Sequence, residues 1–343
     1  MAGNMVYAPI IIPTLNRVVH LKRCISSLEG NPWAKFTDLY VSVDYPANET
    51  HIEGHRDVLA YLDSLKNANG FKSITVFCQK KNLGLLENQF FLIDKLKSAG
   101  YDRYIFSEDD NEYSPNFIEF MDKALEFFRG NERVLCICSQ SHLYLPIEGN
   151  FFYSPWVSVW GCGYWMDKKD KMDETLSRAY FDSIIHSFKK CWRLLKLSPA
   201  IYRFFASDIL EEVPAMRTKD GGVASIDLVQ SIYCINERMY CVYPSIRKER
   251  QWGYDGSGDN CGEEQFDPNN TVIDTEQAFG DLIASEKLME KSIKNNEIFK
   301  KARNYPGKIK LFRSFLIIAA RRILNDKGFT KFKKYIQNVH MSH

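Results

Sequence analysis

Three acids in a row, Glu108-Asp109-Asp110, close a short apolar run, Tyr104-Ile105-Phe106, that reads as a buried strand. Adjacent carboxylates repel one another and cost solvation when buried, so a cation is their natural partner. Oxygen ligands at a strand end suit Mg2+ or Mn2+, with the other positions left to water and a substrate phosphate. A solvated acidic loop is the alternative for this stretch taken alone. Ser114-Pro115 follows, with Ser placed as a helix cap and Pro in the first turn.

The elements that would position these acids alternate regularly over the first 140 residues. Strands are expected at Pro9–Pro13, Leu39–Val43, Ser73–Cys78, Tyr104–Phe106 and Val134–Cys138, and helices at Val18–Leu28, Glu53–Asn67, Leu85–Ala99 and Phe117–Phe128. Val58, Leu59, Leu62 and Leu65 give the second helix one apolar face. Such alternation means an α/β fold, a mostly parallel sheet flanked by helices. In that architecture ligands bind beyond the carboxyl ends of the strands. Asn16-Arg17, Asp44, Asn82-Leu83-Gly84 and the acids all fall there, so the rim is the expected nucleotide-type site. No GxGxxG follows the first strand and no GxxxxGK(S/T) occurs, so a diphosphate would be neutralised by a metal and not cradled by a glycine loop.

The second half is less regular. Ser154 to Trp165 packs three Trp and two Gly into twelve places, including Trp160, Gly161 and Gly163. Glycines among aromatics allow a flat apolar wall for a sugar ring, or an ordinary core corner. Helices are expected over Tyr180–Leu195 and Val223–Glu237, the latter with Asp227 near its start, and a strand over Met239–Tyr243. The stretch from Trp252 to Asn260 is glycine-rich, a loop able to fold over a ligand or simply a surface loop. From Lys308 to Lys334 nine Lys and Arg face the single acid Asp326, interleaved with apolar residues. That pattern marks an interfacial helix too short to span a bilayer, or a helix docked with a basic edge in water.

Length allows one large domain or two modest ones, and a 26% charged share argues against disorder. The net charge of +2 argues neither for nor against nucleic acid, and no nucleic-acid partner is expected. Nine cysteines without a CxxC pair fit a reducing compartment better than zinc or disulfide chemistry. The first apolar run is too short for a signal peptide.

The Ile-Pro-Thr-Leu-Asn-Arg opening, the strand ending on Asp44 and the Ser-Glu-Asp-Asp-Asn-Glu-Tyr-Ser-Pro-Asn-Phe segment together resemble a glycosyltransferase of the GT-A fold. Within that group the similarity is to the N-acetylglucosaminyltransferase I type, joined by Trp-Gly-Cys-Gly-Tyr-Trp and the late Gln-Trp-Gly-Tyr-Asp-Gly-Ser-Gly stretch, over about Pro9 to Cys261. The resemblance implies a Rossmann-like sheet with a nucleotide-sugar half over 1–140 and an acceptor half over 141–270; the basic amphipathic pattern adds a helical C-terminal extension over 271–343. It implies Mn2+ (or Mg2+) and a UDP-sugar donor, with transfer to a saccharide. Asp110 would hold the metal, and Glu108 and Asp109 would contact ribose or sugar hydroxyls. Arg17 and Asp44 would bracket uracil beside Pro13, Asn82 and Gly84, and Asp227 would be the general base. Trp160, Gly161, Gly163 and Trp252 would line the sugar or acceptor side, with Asn260 or Asp259 a further metal contact. The family has a pair of acids beside a Trp where this chain has Ser225-Ile226-Asp227-Leu228. The expected setting is cytoplasmic and bacterial, on the inner membrane face through the basic helix, extending a lipid-linked saccharide for a surface polysaccharide. A nucleotidyltransferase acting on sugar phosphates and a non-catalytic sugar-binding module are the competing readings.

Overall fold

The structure, a computed structural model, describes residues 5–65, 70–140, 149–197, 226–257, 273–282, 308–325, 327–332 and 335. The chain divides into two compact units, Met1–Asp170 with Tyr240–Ser292, and Lys171–Met239 with Ile293–His343.

The first unit is built on an eight-stranded sheet. Its first part runs β1 (Ile10–Thr14), α1 (Val18–Glu29), β2 (Asp38–Val43), α2 (Ile52–Ser64), β3 (Ser73–Cys78), α3 (Gly84–Ser98) and β4 (Arg103–Phe106). These strands pair in parallel in the order β3-β2-β1-β4, as strand-helix alternation dictates. Pro13 is tolerated inside this sheet because β4 pairs with β1 only at Ile10 and Ile11, so Pro13 lies past that ladder.

Beyond β4 the chain departs from simple alternation. The polar segment β5 (Asn111–Tyr113) leaves the sheet, followed by α4 (Phe117–Phe127), β6 (Val134–Cys138), β7 (Phe151–Ser154) and β8 (Cys162–Trp165). After the second unit's first segment come β9 (Tyr240–Pro244) and β10 (Glu249–Gln251). The full order is β3-β2-β1-β4-β8-β6-β9-β7. β8 lies antiparallel between β4 and β6, and β7 is an antiparallel edge on β9, so the sheet is mostly but not wholly parallel. Gly163 sits mid-strand in β8, where a Cβ would meet Leu125 of α4 at 3.2–3.3 Å. Its bareness lets α4 press onto the sheet.

The expected Ser114 cap is not what the fold uses. Ser114 N–H donates to Lys248 O, and the Ser114 hydroxyl donates to Asn116 Oδ1. The helix begins at Phe117, and Asn31 from the end of α1 accepts the Ile118 N–H at 3.0 Å. A side chain distant in sequence thus does what a local cap would have done.

Four thiols that look scattered in sequence converge on one face of this sheet. Cys136 Sγ lies 3.8 Å from Cys138 Sγ and 3.4 Å from Cys241 Sγ, and Cys138 Sγ lies 3.8 Å from Cys162 Sγ. All four are buried.

The second unit contains the end of α5 (Met166–Thr175), then α6 (Arg178–Ile185), α7 (Phe188–Leu197), α8 (Ile226–Asn236) and α9 (Lys308–Ile323). The single helix expected over Tyr180–Leu195 is two, because the chain turns at His186-Ser187 and restarts at Phe188. No helix among the described residues is long and apolar enough to cross a membrane.

Candidate active site

The acids are held by α1 and by a two-stranded ribbon. β5 pairs antiparallel with β10, setting Asn111 opposite Gln251 and Tyr113 opposite Glu249. The Tyr113 hydroxyl donates to Ser107 Oγ at 2.7 Å, and Tyr113 N–H donates to Ser27 Oγ on α1 at 3.0 Å. Trp252 N–H continues the ribbon by donating to Asp110 O at 2.8 Å, while Trp252 Nε1 donates to Glu112 Oε2 at 2.7 Å. The Arg23 guanidinium stacks 4.1 Å above the Trp252 ring. Trp252 therefore clamps the acid turn to α1. At Gly253 a Cβ would run into Asp110 Oδ2 and Gln251 Nε2, so only glycine lets this strand pass so close to the carboxylate.

Asp109 and Asp110 are both buried. Asp109 Oδ2 accepts from the Thr14 hydroxyl at 2.7 Å, and its Oδ1 pairs with Arg17 Nη2. Arg17 Nη1 reaches Asp110 Oδ2 at 2.9 Å. Arg17 stands at the N-cap of α1, with no capping bond from its side chain to the helix, so the guanidinium is aimed at the acids. Burial alone would weaken that cation's hold on its proton, but Asp109 and Asp110 outweigh it and raise its pKa. At Asp110, burial and the Asp109 charge prevail over Arg17, and the carboxyl is pushed up to about 6. Asp110 Oδ1 is buried and finds no hydrogen-bond partner among the described residues. One cation is shared between two carboxylates, and a lone-pair-bearing oxygen is left over. That donor set fits a divalent ion bound through Asp110.

Glu249 is wholly buried behind the turn, and burial pushes its carboxyl up to about 7 against the pull of Arg247, 3.2 Å away. Nothing in the sequence marks it, since its ribbon partner is more than a hundred residues away. His20 on α1 reaches Asp255 Oδ2 at 3.1 Å, which ties the start of the glycine-rich loop to the same corner.

Asp44 closes the neighbouring strand end. Its Oδ1 accepts the Tyr45 and Leu83 N–H groups and its Oδ2 the Gly84 N–H, each at 2.8 Å, and Asn82 Nδ2 donates to Tyr45 O at 2.7 Å. Gly84 supplies the positive φ of 75° that this turn into α3 requires. Asp44, Asn82 and Gly84 thus form one rim, with Pro13 and Thr14 on the adjacent β1. Glu108 is partly exposed beside the buried pair.

Trp160 lies edge-on to Tyr254 of the loop, ring centres 6.2 Å apart. Gly161 adopts φ +67°, and a Cβ there would meet Ser139 Oγ at 2.5 Å and Tyr113 Cε1 at 2.8 Å, so it abuts the acid turn's own support. Gly163 faces Leu125 in the core. Asn260 and Asp259 lie outside the described residues. Asp227 is in the first turn of α8, in the second unit.

No family model matches the chain, and no curated protein matches it. Among solved structures, S. aureus TarS is similar with a TM-score of 0.34 and 16% identity, over 49% of this chain and 30% of that one. A form of TarS, 1-349, is described in complex with UDP-GlcNAc. The mannosyltransferase PcManGT from Pyrobaculum calidifontis, in complex with GDP-Man and Mn2+, is similar with a TM-score of 0.35 and 9% identity, over 68% of this chain and 72% of that one. Mouse xyloside xylosyltransferase 1, in its apo form, gives 0.31 and 14%, over 48% and 69%. The chain thus spans less than a third of the full TarS chain.

Proposed function

We propose that the chain is a metal-dependent, inverting glycosyltransferase of the N-acetylglucosaminyltransferase I type. In this reading it moves a hexose such as GlcNAc from a UDP-sugar to a lipid-linked saccharide, at the cytoplasmic membrane face, for a surface polysaccharide. Residues 1–140 would form the donor half and 141–270 the acceptor half. The observation that carries the reading is Asp110: a buried carboxylate at a strand's carboxyl end with one oxygen on Arg17 and the other without a partner among the described residues.

Asp110 would hold Mn2+ or Mg2+, which when bound offsets charge on a departing diphosphate. Arg17 keeps Asp109 and Asp110 together, so that two adjacent carboxylates survive burial. Asp44, with the amides it has fixed, shapes the rim for the base, and Glu108 and Asp109 are the acceptors for ribose or sugar hydroxyls. Asp227 takes the proton from the acceptor hydroxyl as that oxygen bonds to the anomeric carbon and the bond to diphosphate breaks. Carboxylates near the sugar stabilise the positive charge that develops in an oxocarbenium-like transition state.

Calorimetry of UDP with and without Mn2+ tests the site. Asp110→Ala should weaken Mn2+-dependent UDP binding on the order of a hundredfold while the thermal midpoint without ligand is kept. Unchanged affinity would remove Asp110 from the metal role, and preference for a free nucleoside triphosphate would favour a nucleotidyltransferase. Asp227→Asn should abolish turnover with donor affinity intact; weakened donor affinity would mean it is not the base.

A further inference from the structure

Two helices of the second unit leave aromatic and aliphatic side chains in water beside clusters of bases. On α9, Phe312, Leu316, Ala319 and Ile323 fall at spacings of four, three and four, one stripe of a helix. Phe312 is 64% exposed, Leu316 46% and Ile323 82%, while Ile318 on the opposite side is buried. On α7, Phe188 is 67% and Trp192 51% exposed, one turn apart and stacked with ring centres at 6.2 Å. Cys191, Leu194 and Leu195 of α7 face inward, so Phe188 and Trp192 are not surplus core residues.

The two stripes belong to one packed body. Arg322 Nε donates to Ile185 O at 2.5 Å and its Nη2 lies 3.8 Å from Cys191 Sγ, so the end of α9 that bears Ile323 rests on the α6–α7 corner from which Phe188 projects. Both helices are strongly basic. α7 reads FKKCWRLLKL, four bases and no acid, with Lys189 and Lys196 exposed. The C-terminal stretch carries its nine bases against one acid, with Lys327 and Lys331 exposed.

We infer that α7 and α9 together form a surface that lies on an anionic lipid bilayer. An exposed apolar stripe demands a cover. Bases flanking both stripes select an anionic one, and Trp beside Lys suits the headgroup boundary, where an apolar ring and a charge are each accommodated. A neutral protein groove would leave the bases unanswered. The surface extends the lipid-linked reading of the acceptor from the C-terminal helix to α7. It is read out with vesicles that carry no saccharide, so it stands or falls apart from the transfer reaction.

The test is flotation of the full chain with vesicles of phosphatidylcholine alone or mixed with phosphatidylglycerol. The chain should partition onto the mixed vesicles, weakly or not at all onto neutral ones, and less as salt is raised. Phe188→Ser with Trp192→Ser, and separately Phe312→Ser with Ile323→Ser, should each lower the partition coefficient about tenfold or more. Lys189→Glu with Lys196→Glu should do the same on anionic vesicles only. Thermal midpoints and UDP affinity of these variants should match the parent, since all the side chains changed are exposed. Indifference of the parent to anionic vesicles overturns the inference, as does an α7 variant that partitions like the parent. Self-association without lipid that the same substitutions abolish also overturns it, because a second copy would then be the cover.

Discussion

Asp122 carries a carboxyl group that the fold never exposes to water. It lies on α4, wholly buried, and Oδ1 accepts the Ala8 N–H at 2.8 Å while Oδ2 has no partner among the described residues. Burial pushes its pKa up to about 8, and the Ala8 amide and Arg103 charge offset only part of this. In an unfolded chain the same group titrates near 4. The native state therefore binds the proton more tightly, and the stability it lends is complete below about pH 4 and lost as the pH rises toward 8. Asp122→Asn keeps the acceptor for Ala8 and removes the charge. It should raise the thermal midpoint by a few degrees at pH 8, roughly a kcal/mol or two, and leave it unchanged at pH 4. At this scale the sequence spoke clearly about Glu108 to Asp110, because three adjacent acids after an apolar run are visible locally. It was silent on Glu249 and Asp122, whose character comes from what surrounds them. Nor did it show that Arg17 pairs with Asp109 and Asp110, since that contact spans more than ninety residues.

Among the elements, the first four strands and three helices were legible to within a residue or two at most ends, because their apolar runs alternate with amphipathic helices. β10 and β5 were not. Asn-Glu-Tyr and Glu-Arg-Gln are three-residue, polar strands without alternation, and they find one another across more than a hundred residues. The insertion of β8 between β4 and β6 was hidden for a related reason: a strand of Cys-Gly-Tyr-Trp announces burial but not its neighbours. The ribbon has its own anchor. Lys248, next to β10, donates to Asn116 Oδ1 at 2.9 Å and pairs with Asp274, both groups buried, while Asn116 Nδ2 donates to Asp274 Oδ2 at 3.2 Å. Asp274→Ala would leave Lys248 buried without its counter-charge. Breaking such a pair costs about 3–5 kcal/mol, so the urea midpoint should fall sharply. Replacing Lys248 and Asp274 together by apolar residues should recover much of the loss.

Over the whole molecule, ligand and fold should report on each other. If UDP and Mn2+ bind at the acid turn, saturation at a hundred times the dissociation constant stabilises the native state by about 2.7 kcal/mol. Hydrogen exchange should then slow at Phe106–Tyr113 and at Glu249–Tyr254, with the amides of α6 and α7 unaffected. Equal slowing in both places would mean that the nucleotide acts on the second unit as well. The split into two units was not foreseeable from composition, because the first unit is made of two separated stretches and the chain returns to complete its sheet with β9.

The sheltered thiols give the molecule a built-in clock for its own opening. Cys78, at the end of edge strand β3, is open to solvent, whereas Cys24, Cys136, Cys138, Cys162 and Cys241 in the first unit and Cys191 and Cys234 in the second are enclosed. An alkylating reagent would tag Cys78 at once and reach these seven enclosed thiols only when the surrounding layer parts. Mass spectrometry of the tagged peptides would therefore time the sheet and the helical body separately, in a single unmodified sample.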